Sequence, residues 1–149
     1  MAHSATADVP TPTDSETADR SSGPILFFDG HCSLCNAAVD FTMARSKSIR
    51  FAPLQGETAA RLLSDEQRDL NSVALRLPDG TVHRRSTASL VAMRFFGGLW
   101  PLVGRIALLV PRFVRDGVYR VIAANRYRWF GKTETCRLPT PEEQVRFLP

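Results

Sequence analysis

Two cysteines separated by two residues, Cys32-Ser33-Leu34-Cys35, are the groups in this sequence best suited to chemistry. With Cys32 at a helix start and Cys35 one turn in, the two sulfurs face one another over the same end. There Cys32 feels unpaired backbone N–H groups and the positive end of the helix dipole, both of which stabilise a thiolate. Cysteines so placed ionise with pKa values of about 3.5–7.5. The chemistry on offer is thiol–disulfide exchange: Cys32 is the expected exposed, attacking sulfur, and Cys35, deeper and less accessible, resolves the mixed disulfide. Such a site requires no cofactor, because the electrons reside in the dithiol. Zinc is the main alternative, since His31, Cys32, Cys35 and Cys136 supply a Cys₃His donor set. Structural zinc sites usually show a second close ligand pair, and the sequence has none. A pair of ordinary structural thiols is the third reading.

Neighbouring residues supply accessory candidates. Asp29 ends an apolar run three residues before Cys32. Partly buried, it would have a raised pKa and would relay a proton to or from Cys35; alternatively its carboxylate accepts turn hydrogen bonds around Gly30. His31, if protonated, favours a Cys32 thiolate, against the plainer reading of an exposed loop histidine. Asn36 reads as a polar residue of the turn or first helical turn. Cys136 is either a third redox thiol folded back over the pair or a small buried apolar residue.

The elements that position these groups follow from the pattern. Ile25-Leu26-Phe27-Phe28 is a short apolar run closed by Asp29-Gly30, a buried strand ending in a turn. A helix runs from Cys35 to about Arg45. Residues 49–54 read as a second strand and residues 57–63 as a second helix, with a further turn at 65–69. Val73–Leu77 and Thr81–Arg84 flank Pro78-Asp79-Gly80, a hairpin signal. Ser86 or Thr87 is placed to cap a helix through Phe95, and further helices fall at about 100–110 and 112–129. The order is β-α-β-α-β-β-α with additional C-terminal helices, an α/β class in which a strand-helix-strand opening implies a parallel pair and the hairpin adds antiparallel strands. A CxxC at the first strand-to-helix junction of such a unit is a thioredoxin-like signature.

The chain has 149 residues and a net charge of +4, which averages over unlike parts. Residues 1–23 hold Asp8, Asp14, Glu16 and Asp19 against Arg20 and almost no large apolar side chain. They read as a disordered acidic tail, and neither a secretory signal nor a transit peptide. The domain is expected over 24–138, with a helical extension at about 98–130 and a C-terminal tail at 139–149. It is long enough for a core without disulfides or metal. Three cysteines, an odd number, argue against a secreted disulfide scaffold, so the expected address is cytoplasmic, with a peripheral membrane position open. The apolar run near 99–110 contains Arg105 and ends at Pro111, too short for the ~20 residues a span needs.

Arginines from Arg112 to Arg137 interleave with Tyr119, Tyr127, Trp129 and Phe130. Val114, Val118, Val121 and Ile122 then read as a core-facing stripe with Arg stems beside it. An anionic partner or membrane surface held by helices 100–130 is the functional alternative; nucleic acid ranks below it. Arg126 and Arg128 read as complements to the helix dipole. The sequence leaves oligomeric state open.

Phe28-Asp29-Gly30-His31-Cys32-Ser33-Leu34-Cys35-Asn36 resembles the opening motif of the DCC family of thiol–disulfide oxidoreductase-like proteins, whose Asp-x-x-Cys-x-x-Cys pattern falls on Asp29, Cys32 and Cys35. The similarity continues through Arg50–Gln55, the Asp79-Gly80 hairpin, the block Tyr119–Gly131 and Cys136, covering about residues 25–138. It implies a thioredoxin-like fold with helical additions and a dithiol oxidoreductase role on an unidentified protein or small-molecule disulfide. One departure is visible. Thioredoxins place a cis-proline just before the third strand to grip substrate, whereas Asp69-Leu70-Asn71-Ser72-Val73 has no proline.

Overall fold

The computed structural model describes residues 23–133 and 139–149. The acidic tail up to residue 22 and Cys136 lie outside the described residues. The chain runs β1 (Ile25–Phe28), α1 (Ser33–Arg45), β2 (Arg50–Pro53), α2 (Glu57–Leu62), β3 (Ala74–Arg76), β4 (Val82–Arg84), α3 (Arg85–Ala92), a 3-10 turn (Met93–Phe95), α4 (Trp100–Leu108), α5 (Arg112–Phe130) and a final 3-10 turn (Gln144–Arg146). The sheet order is β2-β1-β3-β4. β1 pairs in parallel with β2 and antiparallel with β3, and β3 pairs antiparallel with β4. This mixed α/β arrangement is the thioredoxin-like one expected.

β1 is central and buried on both faces, which explains its uninterrupted apolar run. Alternation divides it between two cores. Leu26 and Phe28 join Val39 of α1, Phe51, Leu75 and Ala88 of α3 on one face. Ile25 and Phe27 join Ala52, Leu54 and Ala59 of α2 on the other. The hairpin forms where Asp79-Gly80 placed it: Gly80 takes a positive φ of 91° and Asp79 Oδ1 accepts the Thr81 N–H at 2.8 Å.

Two local expectations change. Neither Ser86 nor Thr87 caps α3, which begins at Arg85 in a left-handed conformation (φ 57°) without a side-chain cap. Ser86 is drawn inward instead, donating to the buried Asp116 of α5 at 2.5 Å. The Val114, Val118, Val121 and Ile122 stripe does not face the core: all four are exposed. α5 turns Asp116, Tyr119 and Arg126 toward the domain, because those side chains find partners there. The last residues pack onto the domain. Phe147 stacks on Phe51 (centroids 5.5 Å apart), Leu148 N–H donates to Phe51 O at 2.8 Å, and the Arg146 guanidinium reaches Ser46 O and Ile49 O. This segment covers the free edge of β2, where unpaired strand groups would otherwise lie open.

Candidate active site

β1 delivers Asp29 at its end, and the turn through Gly30 and His31 leads into α1. Cys32 is the N-cap of α1 in an extended conformation, and its Sγ accepts the Cys35 N–H at 3.3 Å. The two thiols are close together and both free. An orphan donor of the helix end is thus satisfied by sulfur, in the position where a thiolate is favoured. Asn36 Nδ2 donates to Gly30 O at 3.3 Å and braces the turn, in keeping with the plain reading of that residue.

Accessibility of the pair is the reverse of the expected order. Cys32 is 0% exposed, whereas Cys35 is partly accessible. The cause lies about a hundred residues downstream. α5 ends at Gly131, whose positive φ of 85° turns the chain back, and Lys132 then forms a β-bridge with Cys32. His31 fastens this cover, since the Thr133 N–H donates to His31 O at 2.9 Å and His31 Nδ1 lies 3.2 Å from Thr133 O. His31 is therefore engaged with backbone rather than loose in a loop.

Asp29 is 3% exposed and its two oxygens are fully engaged. Oδ1 accepts the His31 N–H at 3.0 Å and Gln55 Nε2 at 2.8 Å. Oδ2 accepts Arg126 Nη2 at 3.2 Å and the Tyr127 hydroxyl. The expectation of a raised pKa fails for this reason. Burial pushes the carboxyl up, but the Tyr127, His31 and Gln55 hydrogen bonds and the Arg126 charge outweigh it and hold the pKa below the ordinary value. With about four acceptor sites filled, Asp29 is a fixed anion and not a group poised to take up a proton. The turn hydrogen bond proposed as its alternative role is present.

The cation opposite was misread in the sequence. Arg126 is 4% exposed, and besides Asp29 it donates to Leu70 O at 2.6 Å and to the Tyr127 hydroxyl at 3.0 Å. It is a buried counter-ion rather than a dipole complement at the helix end. Tyr127 and Gln55 also escaped notice as site residues. A signal existed: Asp116, Tyr119, Ala123 and Arg126 recur at spacings of three and four, marking a second helix face that competes with the valine stripe. Burial above all, then the hydrogen bond to Cys32 and the negative charges of Cys32 and Asp29, push the Cys35 thiol up to about 12, with Arg126 opposing. Cys35 thus keeps its proton at neutral pH, donated toward Cys32.

Beside Cys35 opens a cavity of about 410 Å³ between α1, α3 and α5, walled by Leu34, Ala38, Phe41, Ile122 and Phe96 and lined also by Asp29 and Arg126. No group of three or more His, Cys, Asp or Glu among the described residues is arranged to hold a metal ion; Cys136, the fourth donor of the zinc reading, lies outside them.

A family model described as DCC1-like thiol-disulfide oxidoreductase matches residues 26–132. Among curated proteins, the uncharacterized protein YuxK of Bacillus subtilis (strain 168) is 42% identical over 137 residues, covering 89% of this chain and 99% of that protein. The chloroplastic DCC family protein At1g52590 of Arabidopsis thaliana is 38% identical over 120 residues, covering 77% of this chain and 69% of that protein. No solved structure matches the chain. The matched span runs from β1 through the CxxC and α5 to the bridge over Cys32, and on that ground the chain belongs to the DCC1-like thiol-disulfide oxidoreductase family.

Proposed function

We propose that this protein is a dithiol oxidoreductase that exchanges disulfides through Cys32 and Cys35. The observation that carries the reading is Cys32 as N-cap of α1 with its sulfur on the Cys35 N–H, beside a buried Asp29–Arg126 pair. Cys35 holds its proton chiefly because it is buried, with Cys32 and the fixed charge of Asp29 adding to that, so Asp29 acts by its charge rather than by relaying a proton. The electrons reside in the dithiol, so no cofactor enters. An odd cysteine count fits a reducing, cytoplasmic setting. The test is a redox titration with a thiol-specific mass label, in the unaltered chain and in Cys136→Ser. A reversible two-electron couple within about −270 to −120 mV is expected for Cys32–Cys35. A couple unchanged by Cys136→Ser leaves the third thiol outside the chemistry. Failure of the pair to form an internal disulfide refutes the reading.

The outer side of α4 and α5 supports a second, compatible reading, contact with an anionic membrane surface. No described helix is long and apolar enough to cross a membrane. Yet Leu109 is 82% and Phe113 79% exposed, with Leu102, Ile106, Val114 and Val118 also outward. Arg105, Arg120 and Arg128 are exposed on the same two helices, whose only acid, Asp116, is buried. Apolar side chains rimmed by arginine suit an anionic lipid interface, whereas a second copy would set arginine against arginine. Binding to phosphatidylglycerol vesicles, weakened by salt and by Phe113→Ser and absent on phosphatidylcholine, is the expected result. Equal retention on both lipids, or on neither, rules it out.

A further inference from the structure

The Val73 backbone stands where a thioredoxin-like protein meets its substrate peptide, just before β3, and it is occupied. Its N–H donates to the Tyr119 hydroxyl at 2.8 Å, and its carbonyl accepts the Arg85 N–H at 3.0 Å. Leu70 O, nearby, is taken by Arg126, and β3 is paired on both edges, with β1 and β4. An incoming peptide strand finds both Val73 backbone groups already engaged, the N–H by α5 and the carbonyl by α3. What remains open at the pair is the 410 Å³ cavity, of a size that suits a small ligand. It reaches the accessible sulfur, Cys35, while Cys32 is sealed under Lys132. Its walls are largely apolar, with Arg126 among the few polar groups that line it. Among the described residues the buried Nε–H of Arg126 has no hydrogen-bond acceptor, and an unmet buried donor is a place for a ligand acceptor. The Arg126 charge is already balanced by Asp29, so that acceptor is best uncharged.

We propose that this cavity is the substrate pocket, and that it takes a small, uncharged, largely apolar disulfide bearing a hydrogen-bond acceptor, meeting the protein at Cys35. The inference rests on the thiol–disulfide reading and adds the substrate class. In the exchange, Cys35 Sγ attacks one substrate sulfur while its proton passes to Cys32. The substrate S–S bond breaks, and the departing sulfur takes a proton from water. Cys32 then attacks Cys35 Sγ, the mixed disulfide breaks, and the second substrate sulfur leaves with the proton Cys32 releases. The reacting form is the singly protonated dithiol: the proton of Cys35 ends on the second substrate sulfur and water supplies the other, so two electrons and one proton pass from the dithiol to the substrate.

Single-turnover reduction by the full reduced chain tests this with three probes: lipoamide, an uncharged cyclic disulfide with an amide carbonyl; glutathione disulfide, which is charged and hydrophilic; and insulin, a protein disulfide. Lipoamide is expected to react at least about tenfold faster than either of the others. Ala38→Trp and Ser89→Trp, both at exposed positions on the cavity wall, are expected to slow lipoamide about tenfold or more. They should leave the Cys32–Cys35 potential and its reduction by dithiothreitol unchanged. A normal couple with no preference for lipoamide, or with rates the tryptophans do not touch, overturns the pocket while sparing the redox reading. Fastest reaction with insulin does the same. Lipoamide binding to the Cys32→Ser/Cys35→Ser chain, followed by ligand-observed NMR and lost on adding Ala38→Trp, supports the pocket independently of any electron transfer; absence of binding at millimolar probe counts against it.

Discussion

Replacing Arg126 with methionine is expected to lower the free energy of unfolding by about 3–5 kcal/mol, because it strands a buried carboxylate. Asp29 and Arg126 are both almost wholly shielded from water, and their ion pair joins β1 to α5 at 3.2 Å. Urea melts of the single variant and of Asp29→Asn/Arg126→Met measure the coupling, and the double variant is expected to be more stable than Arg126→Met alone. The pH dependence has a definite sign. The Asp29 pKa is depressed in the folded protein, so its contribution is fully present above the unfolded carboxylate pKa of about 3.9 and is lost as pH falls through the lower, folded value. Asp29→Asn should flatten that part of the acid limb. Arg126→Met should also raise the Cys35 pKa further, since Arg126 is the cation that opposes the increase. A double variant no more stable than Arg126→Met would show that the pair is not energetically coupled.

The largest chemical effect is expected at the cysteines. Cys32→Ser removes the sulfur that accepts from Cys35 and the negative charge beside it, two of the causes that lift the Cys35 thiol to about 12. Followed by ultraviolet thiolate absorbance, the Cys35 titration should move down in this variant, yet stay above the free-thiol value because burial, the leading cause, is untouched. Exchange turnover should fall by at least about a thousandfold in either single variant, since neither can close the internal disulfide. Cys35→Ser should also leave a Cys32 that alkylates slowly, sealed beneath Lys132. Fast alkylation of Cys32 in the folded chain would contradict that burial.

What was legible in the sequence was what short spacings decide. The β1 run, the Asp79-Gly80 turn and the placement of the CxxC at a helix start each depend on residues within a few positions, and each formed as read. The orientation of α5 was not legible from hydrophobicity. Its valines make a good apolar stripe, and the polar face through Asp116, Tyr119 and Arg126 turns inward only because Ser86, Val73 N–H and Asp29 wait there. The same limit hid the burial of Cys32, whose cover arrives from Gly131–Thr133, and inverted the pKa expected for Asp29. An isolated buried carboxylate does rise; one with an arginine and a tyrosine from a distant helix does not.

The separation of 97 residues between Asp29 and Arg126 also has a meaning in time. At about 5–20 residues per second of synthesis, the CxxC emerges some 5–20 s before its counter-ion exists. Through that interval the nascent chain carries two thiols without the buried pair, without the helix that walls the cavity and without the segment that bridges to Cys32. The redox centre is therefore assembled late, and a truncated or stalled chain ending before α5 carries the motif but not the site.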